Sequence, residues 1–203
     1  MNHFSLISIL IGYLIGSISP AYILGKLLKG IDIREHGDGN AGGMNVYNVL
    51  GIKPAIVTVI FDLSKGLISM YIASILGVGV LYIYSTGMAA ILGHVFPFYL
   101  KFKGGKGIGT ATGILFYYIY LMLKNQWLAY YWLIIYIAGI ILVFYITRKG
   151  EIVGLIALPS LFALVFLTSP LNSITIFSGI IIFYMFSINF LINIYKKKPI
   201  KQE

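Results

Sequence analysis

The stretch His94-Val-Phe-Pro-Phe-Tyr-Leu-Lys-Phe-Lys-Gly-Gly-Lys-Gly-Ile-Gly-Thr-Ala-Thr-Gly113 joins two long apolar runs through a short crossing made of lysine and glycine. The flanking runs, residues 78–99 and 108–123, are each about as long as the ~17 to 25 residues that a spanning helix needs. Further apolar runs lie near residues 4–28, 54–76, 127–146, 152–168 and 171–195, which makes seven. None alternates apolar with polar residues as an outer-membrane strand does. The pattern predicts an all-α, polytopic integral membrane protein of about seven transmembrane helices, organised as a single domain over residues 1–203.

Composition agrees. The 203 residues are 59% hydrophobic and only 10% charged, with a mean hydropathy of +0.93, which excludes a soluble domain of this size. The first run has no basic leader and no small-residue cleavage site before a polar segment, so it reads as a retained helix. With no cysteine in the chain, there is no disulfide framework, thiolate nucleophile or cysteine metal site.

Charge placement sets the expected orientation. Lys26, Lys29, Arg34 and Lys53 form one group, Lys101, Lys103 and Lys106 a second, Arg148 and Lys149 a third, and Lys196, Lys197, Lys198 and Lys201 a fourth. Seven crossings bring all of these to one side, which the positive-inside rule makes cytoplasmic. The N-terminus is then outside and the C-terminus inside. A net charge of +9 split among short loops argues for anionic headgroups as neighbours and against nucleic acid.

Two glycine-rich loops carry the chemistry. Residues 30–45 are too long and polar for a mere connector, and their glycines allow successive amides to converge on an anion. The second loop sets Lys101, Lys103 and Lys106 among Gly104, Gly105, Gly107 and Gly109, contains no carboxylate, and opens a helix with Thr110 and Thr112. A helix N-terminus, amides and ammonium groups together favour a phosphate dianion. Lysines that only orient the chain would not need four glycines in the six residues 104–109. The nucleotide-binding patterns do not fit, because Lys106 is followed by Gly107 and no strand precedes the glycines.

Elsewhere the chemistry is sparse. Three histidines and six acids are scattered without the spacing of a metal cage, and no Gly-x-Ser-x-Gly elbow occurs. His94, at the cytoplasmic end of its helix, can orient a substrate or accept a proton, or can serve as a hydrogen-bonded helix-end residue; His36 in the first loop has the same two readings. Asp62 and Lys65, three apart, are expected to pair and to support the site. Ser17, Ser19 and Pro20 predict a kink in the first helix.

These residues resemble the bacterial acyl-phosphate:glycerol-3-phosphate acyltransferase family over most of the chain. The first-helix pattern is similar at residues 13–18, the first-loop pattern at 31–40, the Asp-x-x-Lys-Gly pattern at 62–66, and the Gly-His-x-Phe-Pro and Phe-Lys-Gly-Gly-Lys-Gly patterns at 93–97 and 102–107. The resemblance implies seven helices around a cytoplasmic site in the bacterial inner membrane. It implies transfer of an acyl chain from acyl phosphate to the 1-hydroxyl of glycerol 3-phosphate, giving lysophosphatidate for phospholipid synthesis. The expected partners are these two substrates and membrane lipid, with no cofactor, metal or obligate protein partner.

The expected catalytic residues are His94, Asn45 and Lys106. Substrate contacts are expected from Arg34, Gly37, Asp38, Gly39, Asn40, Lys101, Lys103, Gly104, Gly105, Gly107, Thr110 and Asn193. In particular, Lys103 and Lys106 with the amides of residues 104–107 would hold a phosphate, and Asn40 and Asn45 would donate to a phosphate or carbonyl. Departures from the family pattern are Asp38 for a serine, Met44 for a threonine, Asn48 for an arginine and Phe190 for a histidine. They keep open a catalytically inactive lipid-binding relative, and seven helices with Asp62 and Lys65 buried among them would also suit a transporter or flippase of a phosphorylated small molecule.

Overall fold

The computed structural model describes residues 3–126, 130–147, 150–168 and 170–196, and among them every regular element is helical. The two basic groups Arg148–Lys149 and Lys197–Lys201, apart from Lys196, lie outside the described residues. Four segments are long and apolar enough to cross a membrane: Phe4–Lys29, Ile52–Ile75, Val80–Leu100 and Tyr130–Thr147. Shorter apolar helices cover Ile108–Lys124, Pro159–Thr168 and Thr175–Ile188.

The chain divides into two compact units, residues 1–117 and 118–203. In the first, α1 (His3–Ser17) and α2 (Pro20–Lys29) are two parts of one span. The expected kink is a full break, and its freed backbone groups are met by side chains from elsewhere. The Tyr99 hydroxyl donates to Ser17 O at 2.9 Å and accepts from Ser19 N at 3.0 Å. Lys65 Nζ donates to Ile18 O at 3.0 Å, and Ser19 caps α2 through Tyr22 N. Proline at the first position of α2 has no amide to leave unpaired.

α3 (Gly43–Leu50) corrects the expectation of an unbroken first loop through Asn45. Its glycine start reads as loop, yet Val46, Val49 and Leu50 recur at helical spacing and pack with Ala21, Ile33, Ala41 and Ala55. That small apolar cluster holds the loop and α3 against the first two spans.

α4 (Ile52–Ile75) and α5 (Val80–Val95) complete the frame with α1. The α1–α5 contact uses small residues. A Cβ at Gly12 would press Thr86, one at Gly16 would collide with Ala90, and one at Gly93 would strike Tyr13 and Ser17. Without water between helices to expel, such close backbone approach is what holds spans together. Ser8 and Thr86 share a buried hydroxyl contact of 3.1 Å across the same seam.

α6 (Ile108–Lys124) begins in the first unit, where Gly109 and Gly113 lie against Asp62 and Leu63 of α4. In the second unit, α7 (Tyr130–Thr147), α8 (Gly150–Thr168) and α9 (Ser173–Lys196) pack in sequence order. Tyr136 donates to Ala157 O at 2.7 Å between α7 and α8, and Phe162 and Phe166 of α8 meet Gly179 of α9.

Candidate active site

Both glycine-rich loops fold over the end of α5, and each is held by a specific internal staple. In the first loop the staple is Asn45. This side chain is fully buried on α3, accepts from Asp38 N at 2.9 Å, and donates to Ile33 O at 3.0 Å and His36 O at 2.9 Å. Both amide hydrogens are engaged within the loop. Gly37, at φ 64°, presses on the same amide, so any side chain there would displace it. Gly39, at φ 71°, turns the chain, and Asp38 Oδ1 accepts from Asn40 N at 3.0 Å. Gly37, Asp38 and Gly39 therefore shape the loop.

Arg34 is the brace between the loops. Its Nε and Nη2 grip Asp32 at 2.9 and 2.6 Å, and Nη1 donates to Leu100 O at 2.8 Å and Lys103 O at 3.0 Å. Paired in this way, the guanidinium fastens one loop to the other. The Arg34 hydrogen bonds hold the Asp32 carboxyl below the usual carboxylate range.

The second loop turns at Lys101 and Phe102, both left-handed at φ 55° and 58°. It then returns over α5, where Gly104 N donates to Val95 O at 3.0 Å and Gly105 N to His94 O at 3.1 Å. These amides satisfy the carbonyls at the helix end. Of the glycines in the expected phosphate cradle, residues 104–107, Gly107 borders the cavity described next. A Cβ on Gly104 would strike His94 O, and one on Gly105 would strike His94 Nε2 and come within 2.6 Å of Ala41 O.

What remains forms a cavity of about 240 Å³. One wall is Asn40 with Gly42, Gly43 and Met44 at the start of α3; the opposite wall is Lys106, Gly107, Ile108 and Gly109 at the start of α6. His94, Asp62 and Val59 close the base. Two helix N-termini thus open on one small space. The α3 N-cap, Gly42, makes no side-chain capping bond. Gly107, at φ 72°, precedes α6 and its carbonyl accepts from Ala111 N at 2.9 Å, so the amides of residues 108–110 form the first turn, where intrahelical partners are lacking. Such amides and the helix dipoles favour an anion.

Beneath the cavity lies a buried charged group. Lys65 Nζ stands 2.9 Å from Asp62 Oδ1, the pairing expected from their spacing. The same oxygen lies 3.4 Å from His94 Nδ1, a neighbour that sequence reasoning missed because the two residues are on different helices. Thr110, fully buried, has Oγ1 3.4 Å from His94 Nδ1 and is not among the residues lining the cavity.

Lys101 and Lys103 lie elsewhere. They line a second, more open cavity of about 460 Å³ with Tyr22, Asp32, Arg34, Glu35, Tyr99 and Leu100. Two acids from the first loop therefore stand beside these lysines, although the second loop itself has none. Of the expected site residues, Asn40, His94, Lys106 and Gly107 meet in the smaller cavity. The side chain of Asn193 lies outside the described residues.

Comparison with known proteins was made against this geometry. The family profile described as glycerol-3-phosphate acyltransferase matches residues 6–198. A glycerol-3-phosphate acyltransferase of Pseudomonas putida is 39% identical over 153 residues, covering 74% of each chain. One of Bacillus subtilis is 46% identical over 110 residues, covering 54% of this chain and 56% of its own. The chain thus spans about half the length of the Bacillus relatives it matches. Among solved structures, PlsY (YgiH), an integral membrane glycerol 3-phosphate acyltransferase, aligns in its glycerol 3-phosphate form with TM-score 0.69 and 30% identity, over 97% of this chain and 94% of that one. Its lysophosphatidic acid form aligns over the same shares with TM-score 0.68 and 29% identity. By the match over residues 6–198 and by its helical frame, this chain belongs to the glycerol-3-phosphate acyltransferase family.

Proposed function

We propose that the chain transfers an acyl group from acyl phosphate to the 1-hydroxyl of glycerol 3-phosphate, releasing lysophosphatidate and phosphate, at the cytoplasmic face of the bacterial inner membrane. The observation that carries this reading is the union of two unlike spaces. The smaller cavity, bordered by Asp62, His94 and Lys106, shares Gly43, Met44 and Val59 with an apolar groove of about 540 Å³ lined further by Tyr47, Ile52, Ala55, Ile56 and Ile60. An acyl phosphate has the same two halves. Its phosphate suits the start of α6 with Lys106, and its chain suits the groove between α3 and α4.

The acyl group is already activated, so the protein need not form a covalent intermediate. Its tasks are to hold two anions, align the hydroxyl on the carbonyl carbon, and stabilise charge on the carbonyl oxygen and the leaving phosphate. Lys106 and the first-turn amides of α6 serve the phosphate; Asn40 and the amides at the start of α3 serve the second anion or the carbonyl oxygen. The Asp38 carboxylate, which departs from the family pattern, accepts from Asn40 N within its own loop. That local bond leaves the cavity wall to Asn40, which favours an active enzyme over an inactive relative.

We read one transmembrane domain because the family match runs through both units. Seven crossings, with the N-terminus outside and the C-terminus inside, follow from the four long and three shorter apolar helices and the grouped basic residues. The direct test is product formation by purified protein in lipid given acyl phosphate and glycerol 3-phosphate. Lysophosphatidate with equimolar phosphate is the expected result. Transport of glycerol 3-phosphate into proteoliposomes without chemical change would replace this reading.

A further inference from the structure

We propose that Met44 is a specificity-determining residue of the transfer step: its thioether covers the acyl carbon of bound acyl phosphate and shuts out water, so that the acyl group passes to glycerol 3-phosphate and is not hydrolysed. This rests on the functional reading above. The motive is the seam between the two spaces that an acyl phosphate would occupy. Three residues border both the cavity of about 240 Å³ and the groove of about 540 Å³, namely Gly43, Met44 and Val59.

With the phosphate at Lys106 and the chain among Tyr47, Ile52, Ile56 and Ile60, the carbonyl carbon and its first methylene cross that seam. Gly43 has no side chain to offer, and a Cβ there would collide with Val59 Cγ2, so α3 and α4 touch at this point. Met44 is the one long side chain of the three, and the residue is 70% exposed. Its backbone is fixed by the two residues that follow. Asn45 is bonded to three groups of the first loop, and Val46 is packed with Ala21, Ile33, Ala41 and Ala55. A free, unbranched thioether on a held backbone can settle over a bound chain of irregular shape. A residue that only faced lipid would border the groove alone, as Tyr47 and Ile60 do.

The need for a cover follows from the substrate. An acyl phosphate is open to attack by water as well as by an alcohol, and closing a site against water prevents that side reaction. The cavity cannot supply the barrier itself, because Asn40, Asp62, His94 and Lys106 carry groups that bind water. In hydrolysis the water oxygen bonds to the acyl carbon as the bond from that carbon to the phosphate oxygen breaks. An acyl phosphate dianion and water become a carboxylate, a hydrogen phosphate dianion and a proton.

The test uses the whole chain purified in lipid, given hexadecanoyl phosphate and glycerol 3-phosphate in water labelled with heavy oxygen. Lysophosphatidate, free fatty acid and phosphate are measured separately, and heat-denatured protein gives the background. Wild type should release lysophosphatidate and phosphate in equal amounts. Met44→Ala is expected to raise the ratio of fatty acid to lysophosphatidate by about tenfold or more, the scale on which lost apolar contacts change selectivity, with the label in the carboxylate. Met44→Leu keeps the apolar volume and should hold the ratio within about threefold of wild type. Tyr47→Ala, which enlarges the groove away from the seam, should raise KM for acyl phosphate and leave the ratio as it was.

An unchanged ratio in Met44→Ala, an equal rise in Tyr47→Ala or in Met44→Leu, label in the phosphate, or loss of both products in Met44→Ala overturns the inference. A wild type that makes no lysophosphatidate would sink the cover together with the proposed function; an active wild type whose Met44→Ala variant partitions normally sinks the cover alone.

Discussion

The two cavities at the loop end of the first unit are built from the same two loops, yet only one is arranged to hold an anion tightly. The larger has Lys101 and Lys103 at its wall, but Asp32 and Glu35 stand with them and Arg34 is committed to Asp32 and two backbone carbonyls. The smaller has a single lysine in its wall, set between two glycine-led helix starts and beside a buried histidine. Counting cations therefore locates a region and not a site. Direction matters more: amides that converge on a point and lack a helical partner bind an anion where exposed ammonium groups only attract one.

The sharpest way to break that contrast is to remove one lysine from each cavity. Lys106→Ala is expected to lower kcat/KM by about 100-fold or more, since a charge-assisted contact to a desolvated phosphate is lost, whereas Lys101→Ala should change it less than about threefold. Equal losses measured in the product assay would refute the assignment of the smaller cavity. Next in size is Gly105→Ala. The added methyl meets His94 Nε2 and Ala41 O, and a displacement near 1 Å at a reacting centre costs on the order of 100-fold in rate. A variant that kept normal kcat would place His94 away from the chemistry.

Arg34→Lys sharpens the comparison from the other side. Lysine cannot reproduce the fork on Asp32 together with the bonds to Leu100 O and Lys103 O, so the loops should separate. We expect a loss of stability of about 1 to 3 kcal/mol, read as a lower thermal midpoint, with a smaller fall in kcat than for Lys106→Ala. If Arg34 instead gripped substrate, KM would rise with the midpoint unchanged. The smallest effect is on pH. Asp32 titrates below its ordinary value of about 3.9, so its pairing stabilises the fold fully above that value and the contribution fades as pH falls through the depressed one. Acid scans of stability should lose this component in Asp32→Asn, and a variant with the wild-type acid profile would show that the pair contributes nothing.

Much of this was legible in the sequence, for physical reasons that differ by residue. Long apolar runs have only one way to satisfy their backbone in lipid, so the helices could be read directly. Ser17, Ser19 and Pro20 marked the break, and Asp62 and Lys65 marked a pair, because both are local patterns. The lysine and glycine loop pointed to His94, Lys106 and Gly107, which border one cavity. The helix Gly43–Leu50 was hidden because its glycine-led start looks like loop and its apolar face is only three residues wide. The engagement of the Gly104 and Gly105 amides could not be seen, since it depends on the loop folding back on His94 and Val95. The loop-stapling bonds of Arg34 and Asn45 are equally hidden, because a polar side chain that staples a loop and one that meets a phosphate have the same composition. The approach of Asp62 to His94 is a tertiary fact with no local sign.

The gap between α1 and α2 has a consequence for how this protein enters the bilayer. The carbonyls of Ser17 and Ile18 and the amide of Ser19 find partners only in Tyr99 and Lys65, which are synthesised well after the first span. Until those arrive, the first segment carries backbone polarity that hydrocarbon cannot solvate, at a cost of several kcal/mol for each unmatched group. The break in the opening span is therefore satisfied only once the second and third spans are packed against it.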